Sequence, residues 1–233
     1  MLLLFDIDGT LMLSAGKAHS EALATAIREV HGVDPRDLRE RIGPAGRTDG
    51  EIARLILLGL GVSARRIDER ADDVRDACCR IYAQTVPADL SDRVVPGIPG
   101  LLEWLGGCDD VQLSLLTGNY EPVGRIKLAH AGIGKWFPAG QGAFGSDSED
   151  RAELPAIARR RAGRNGLPHP RRRTIVIGDT PRDIACARAD GVGCIAVATG
   201  QFGPDELVEA DAVAGDATEL REALDSAIQS VAS

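Results

Sequence analysis

Short apolar runs and amphipathic stretches succeed one another along this chain, and the change of period marks the elements. Leu2–Phe5 is apolar at every position and stops abruptly at Asp6, Asp8 and Gly9; a short run without alternation predicts a strand buried on both faces. Over residues 15–90 the period turns helical. Leu23, Ala26, Ile27 and Val30 fall at i, i+3, i+4 and i+7 and make one apolar stripe. Gly32 ends that helix, and two or three further helices are expected through Tyr82, with no convincing strand among them. Pro87 and the Pro- and Gly-rich segment 94–100 then break the pattern. Beyond it, residues 111–116, 174–177 and 193–197 read as strands, and 122–131, 154–161 and 181–189 as helices. Leu220, Leu224 and Ile228 give a terminal helix its stripe.

Strands separated by such helices imply right-handed crossovers and a parallel sheet. The predicted fold is therefore α/β: a three-layer, Rossmann-like parallel-sheet core in two pieces, 1–14 and 91–233, with an inserted helical cap domain at 15–90. In such sheets ligands bind at the carboxyl ends of the strands.

Composition narrows the functional classes. A formal net charge of -8 over 233 residues disfavours non-specific binding to nucleic acid or anionic membrane. The longest interior apolar stretch, residues 55–60, falls far short of the roughly 20 residues of a membrane span. The N-terminal leucines lack a preceding basic region and do not read as a signal peptide. Five cysteines, odd in number and without a C-x-x-C pair, read as reduced thiols in a cytoplasmic protein. Cys186 and Cys194 read as small buried hydrophobes.

Three predicted strands end in chemistry: Asp6-Ile7-Asp8-Gly9-Thr10, Thr117-Gly118-Asn119, and Gly178-Asp179-Thr180-Pro181-Arg182-Asp183. One aspartate after a strand is as well explained by helix capping. Four carboxylates on one sheet edge repel one another and call for a hard cation with oxygen ligands, for which Mg²⁺ is suited. Thr117 and the amides of Gly118 and Asn119, leading into a helix, offer donors to a phosphate.

These three stretches, in this order, resemble motifs I, II and IV of the haloacid dehalogenase superfamily. The helical insertion resembles the cap of its phosphoglycolate phosphatase and β-phosphoglucomutase branch. The resemblance implies a Mg²⁺-dependent phosphatase of a small phosphorylated metabolite, phosphoglycolate-like or a sugar phosphate, working through an aspartyl-phosphate. Asp6 would be the nucleophile and Asp8 the general acid and then base. Mg²⁺ would be held by Asp6, Asp179 and the Asp8 backbone carbonyl, with Asp183 acting through water. Thr117, Gly118 and Asn119 would bind the phosphoryl oxygens. The presence of Asp8 favours P–O over C–halogen cleavage. A phosphomutase and a non-catalytic phosphate-binding protein are the alternatives. The expected partner is the small substrate, with no nucleic acid and no membrane, and a monomer or homodimer.

The chain departs from the family pattern at the third motif, usually a lysine before motif IV. Only three lysines occur (Lys17, Lys127 and Lys135) among 27 basic residues, and none follows Lys135. Arg151, just before the helix at 154–161, is the better positional match; Lys135 is the alternative. In the insertion, Thr48 or Asp49 reads as a helix cap, while Arg47 is a candidate for binding an anionic substrate tail. A Schiff-base reaction would have to rely on Lys17 and is not favoured. His19, His31, His130 and His169 read as structural or surface histidines, and the seven arginines within 159–173 as a solvated helix end and loop.

Overall fold

The computed structural model describes residues 1–35 and 42–232. Its centre is a six-stranded parallel sheet in the order β3-β2-β1-β4-β5-β6. The strands are β1 (Leu2–Phe5), β2 (Gln112–Thr117), β3 (Ala143–Phe144), β4 (Thr174–Gly178), β5 (Gly193–Val197) and β6 (Ala212–Ala214). The helices are α1 (Gly16–His31), α2 (Asp49–Gly59), α3 (Ala64–Thr85), α4 (Ile98–Gly106), α5 (Glu121–His130), α6 (Leu154–Ala162), α7 (Pro181–Asp190) and α8 (Ala217–Ala232). No helix among the described residues is long and apolar enough to cross a membrane.

β1 lacks polar positions because both its faces are covered. Leu3 and Phe5 join the apolar layer under α4, α5 and α8, while Leu2 and Leu4 join that under α6 and α7. Phe5 lies level with Leu115 of β2 and Ile177 of β4, so Asp6, Thr117 and Asp179 emerge side by side at the carboxyl edge.

The expected strands and helices of the core are present. Three elements were not legible as such. α4 begins inside the segment expected to be a break: Pro99 occupies its first turn, where a missing N–H costs nothing, and Gly97 enters it with φ 86°. β3 and β6, of two and three residues, are too short to show a period.

Helices α1, α2 and α3 enclose a separate apolar cluster around Leu23, Ile27, Ile56 and the fully buried Tyr82, to which Tyr120 and Val123 of the core contribute. Gly32 ends α1 in the left-handed conformation, φ 72°, its N–H bonding the Arg28 carbonyl. Residues 36–41, within the stretch read as helical, lie outside the described residues. The chain leaves and re-enters the core through paired segments: Leu13 N–H donates to Arg93 O and Val95 N–H to Leu11 O, at 2.7 and 3.0 Å.

The arginine-rich segment is not simply solvated. Arg159 is buried and holds Asp190, the last residue of α7, through two bonds of 2.6 and 3.0 Å, while its other end donates to His169 O. Arg171 joins the same carboxylate and Arg161 binds Asp147. The carboxylate partners lie 14 to 31 residues from their arginines, too distant for a local charge pattern to reveal. The Arg159–Asp190 pair fixes α6 against α7, the helices that follow the functional residues described below. Removing one partner of a buried pair leaves an uncompensated charge. Asp190→Ala should therefore lower unfolding free energy by about 3–5 kcal/mol, measured by urea denaturation.

Candidate active site

Asp6, Asp179 and Asp183 are all buried and bring one carboxylate oxygen each within 4.8 Å of one another. The backbone after β1 makes room for this. Asp6 N–H donates to Ile177 O at 2.9 Å, and the chain then coils so that Leu11 and Met12 N–H both reach Ile7 O. Ile7, between the two aspartates, turns into the apolar layer. Gly9 sits at φ 88° against Asp179, where a Cβ would lie 2.1 Å from a carboxylate oxygen.

Arg151 reaches this cluster from the other side. It lies in a one-turn helix, Arg151–Glu153, capped by Asp150, and its Nη2 donates to Asp6 Oδ2 at 3.0 Å and to Asp183. Its Nε is buried and makes no hydrogen bond within the protein. Asp183 is a helix cap as well as a site residue. The Thr180 hydroxyl and N–H both donate to its Oδ2, at 2.7 and 3.0 Å, in a capping box that opens α7.

Burial and crowding raise Asp6 and Asp179. Burial first, opposed by the Arg151 guanidinium and reinforced by the charges of Asp183 and Asp8, raises the Asp6 carboxyl to about 6. Burial and the neighbouring Asp6 and Asp183 raise Asp179 to about 8; only hydrogen bonds, from Thr10 and a backbone amide, oppose this. An all-oxygen, buried donor set that contains a carboxylate without a cationic partner fits a hard divalent ion such as Mg²⁺.

Asp8 has a different environment. Its side chain keeps 39% of its accessibility and faces the same cavity as Asp6. Lys127, fully buried on α5, grips both its oxygens at 2.8 and 2.6 Å, and Asn119 Nδ2 donates to Oδ2 at 2.9 Å. Burial alone would raise the Asp8 carboxyl, but Lys127, His19 and these hydrogen bonds together hold it below the usual carboxylate range. Lys127 also donates to Asn119 Oδ1 at 2.7 Å and lies 3.3 Å from His19 Nδ1. The far side of that ring meets Asp49 at 3.0 Å, and Asp49 accepts from Tyr120 N–H.

Lys127 was missed by the sequence reading, and His19, read there as structural or surface, is buried and joins this network. A signal for Lys127 existed: it follows Val123 by one turn of α5, on the apolar stripe, in a chain that otherwise avoids lysine. Lys17 is exposed.

The remaining candidates divide. Thr117 is buried, and its hydroxyl bonds Asn119 and favours ionised Asp6. Asn119 turns its side chain to Asp8 and Lys127. Gly118 is a point of close approach: a Cβ there would lie 2.0 Å from Arg47 O, and its carbonyl accepts from Asp49 N–H. Thr48 is the cap of α2, accepting from Glu51 N–H at 3.1 Å. Arg47 lines the cavity, but its guanidinium is held by Glu51. Lys135 is remote, stacked 4.8 Å over Trp136 at a separate cavity, which leaves Arg151 as the basic residue at the acidic cluster.

Similarity to known proteins follows the same outline. Probable phosphatase IndB of Dickeya dadantii is 27% identical over 214 residues, covering 90% of this chain and 86% of that protein. Tyrosine-protein kinase PtkA of Mycobacterium tuberculosis is 28% identical over 229 residues, covering 96% of this chain and 72% of that protein. The fold is shared with β-phosphoglucomutase from Clostridium difficile, at TM-score 0.67 and 16% identity over 100% of this chain and 99% of that one. It is shared too with CbbY from Rhodobacter sphaeroides in complex with phosphate, at TM-score 0.65 and 19% identity over 94% and 95%. The family model described as haloacid dehalogenase-like hydrolase matches residues 3–188, and the chain belongs to that family.

Proposed function

We propose that this protein is a Mg²⁺-dependent phosphatase that passes the phosphoryl group of a small phosphomonoester to Asp6 and then to water. The observation that carries the reading is the contrast between two neighbouring aspartates. Asp6 is buried against a guanidinium and two carboxylates, whereas Asp8 is open to the cavity and clamped by an ammonium.

In the first step an Asp6 oxygen attacks phosphorus as the P–O bond to the leaving group breaks, and the departing alkoxide takes a proton from the Asp8 carboxyl. In the second, water attacks the aspartyl-phosphate and gives its proton to the Asp8 carboxylate, which frees inorganic phosphate and restores Asp6. Lys127 and Asn119 orient Asp8 for both transfers. They favour its ionised form, so the proton for the first transfer is retained only when phosphoryl charge lies nearby and opposes them. Arg151 holds Asp6, and its guanidinium, with the Thr117 hydroxyl, would meet phosphoryl charge arriving at that carboxylate. Asp6, Asp179 and the Asp8 carbonyl, with Asp183 acting through water, would hold a Mg²⁺ ion, which would supply positive charge to the phosphoryl oxygens. Helices α1–α3 serve as a cap over the cavity, excluding bulk water.

The first test is phosphate release from p-nitrophenyl phosphate with Mg²⁺. Asp6→Asn should lower kcat by about 10⁴-fold or more; an unaffected variant removes Asp6 from the reaction. Appearance of an isomeric sugar phosphate in place of free phosphate would make the enzyme a mutase.

Lys127→Met keeps the volume and removes the charge. It should cut kcat for an alkyl phosphate by about 10²–10³-fold, and for p-nitrophenyl phosphate much less, because nitrophenolate departs without a proton. Equal losses on both substrates would deny Lys127 its part in proton transfer.

Asp6 and Asp179 bind protons more tightly in the folded chain than their ordinary value of 3.8. Without metal, their contribution to stability thus falls as pH rises from about 4 through about 8. Added Mg²⁺ competes with those protons. Its stabilisation should therefore be greater at pH 8 than at pH 5, measured as the rise in Tm by scanning calorimetry; a rise equal at both pH values would place the ion elsewhere.

A further inference from the structure

The clamp on Asp8 depends on where the Lys127 ammonium points, and an ammonium on a flexible stem has no direction of its own. Its nitrogen carries three protons and no acceptor. Asp8 takes one, between oxygens at 2.8 and 2.6 Å, and Asn119 Oδ1 takes a second at 2.7 Å. His19 Nδ1, at 3.3 Å, is the acceptor for the third. These partners come from separate elements: Asp8 follows β1, Asn119 follows β2, and His19 belongs to α1.

The His19 ring is itself fixed. Accepting from an ammonium requires Nδ1 to be without a proton, which places the ring's proton on Nε2. Nε2 then donates to Asp49 Oδ2 at 3.0 Å, and Tyr82 meets the ring edge-on with centroids 5.7 Å apart. Asp49 is held in turn by the loop after β2. Its N–H donates to Gly118 O at 2.8 Å, and Oδ2 accepts from Tyr120 N–H at 2.7 Å. Lys127, His19 and Asp49 are all buried. His19 borders the cavity, yet both its nitrogens are turned to protein partners, which leaves it neither donor nor acceptor for a substrate.

Taking the phosphatase reading as its basis, we infer that His19 is a positioning residue for proton transfer at Asp8: with its proton on Nε2, it holds the Lys127 ammonium against that carboxylate. The helical unit then takes part in the acid–base step through α1, as well as covering the cavity.

Nitrogen-15 NMR of the wild-type protein reads the tautomer without any variant. The His19 ring should carry its proton on Nε2 with Nδ1 bare, and a proton on Nδ1 overturns the proposal. Kinetics supply the second arm, in variants whose circular dichroism matches wild type. His19→Leu fills similar space without an acceptor, whereas His19→Asn sets an amide oxygen near the place of Nδ1. His19→Leu should lower kcat/KM for ethyl phosphate about tenfold or more, and for p-nitrophenyl phosphate much less, because nitrophenolate departs without a proton. His19→Asn should recover part of the loss. In a Lys127→Met background His19→Leu should cost nothing further, since the group it acts through is gone. Equal losses on the two esters, no recovery in His19→Asn, or losses that add in the double variant overturn the positioning role and leave the phosphatase standing. Absence of turnover of either ester by the wild type overturns the phosphatase reading itself, and the positioning role with it, whatever the tautomer.

Discussion

Four carboxylates gathered at one edge of a parallel sheet set the terms for the rest of the structure. A buried carboxylate is costly unless a cation or several donors face it. The chain answers with two cations from opposite directions. Arg151 bridges Asp6, from β1, and Asp183, from α7, while Lys127 takes Asp8. Asp179 receives hydrogen bonds alone, and burial with the charges of Asp6 and Asp183 raises it further than Asp6. The helix packing serves this balance: the Arg159–Asp190 pair and the Thr180–Asp183 capping box fix α6 and α7, the elements next to Arg151 and Asp183.

The two cations are placed differently. Arg151 bridges two carboxylates on separate elements, both through Nη2, whereas the compact ammonium of Lys127 sits between both oxygens of one. Lys127 also ties the chemistry to the helical unit, since the series Asp8, Lys127, His19, Asp49 runs from the strand edge through α5 to α1 and α2. A shift of those helices cannot leave Asp8 untouched.

What was legible in the sequence follows from range. Strands buried on both faces and amphipathic helices declare themselves by local period, and Asp6, Asp8, Thr117, Asp179 and Asp183 are conspicuous because they end apolar runs. Arg151 was recognisable by its place before a helix. Lys127 was not, because its meaning depends on Asp8 and His19, 119 and 108 residues away in sequence. The same holds for the buried state of Arg159. Arg47 is the opposite case: Glu51 lies four residues on in the same segment, so the pairing that occupies its guanidinium was readable from i,i+4 spacing.

The clamp on Asp8 bears directly on the proposed acid step. An alkoxide is a poor leaving group and needs a proton at the moment it departs, yet Lys127 and Asn119 favour Asp8 without one. In the proposed mechanism the substrate's own phosphoryl charge, brought beside Asp8, would oppose that clamp and retain the proton. Once the alcohol has left, the clamp would again favour the carboxylate, the form needed to take the proton from water. One residue would then serve as acid and base in turn because the substrate alters the field around it.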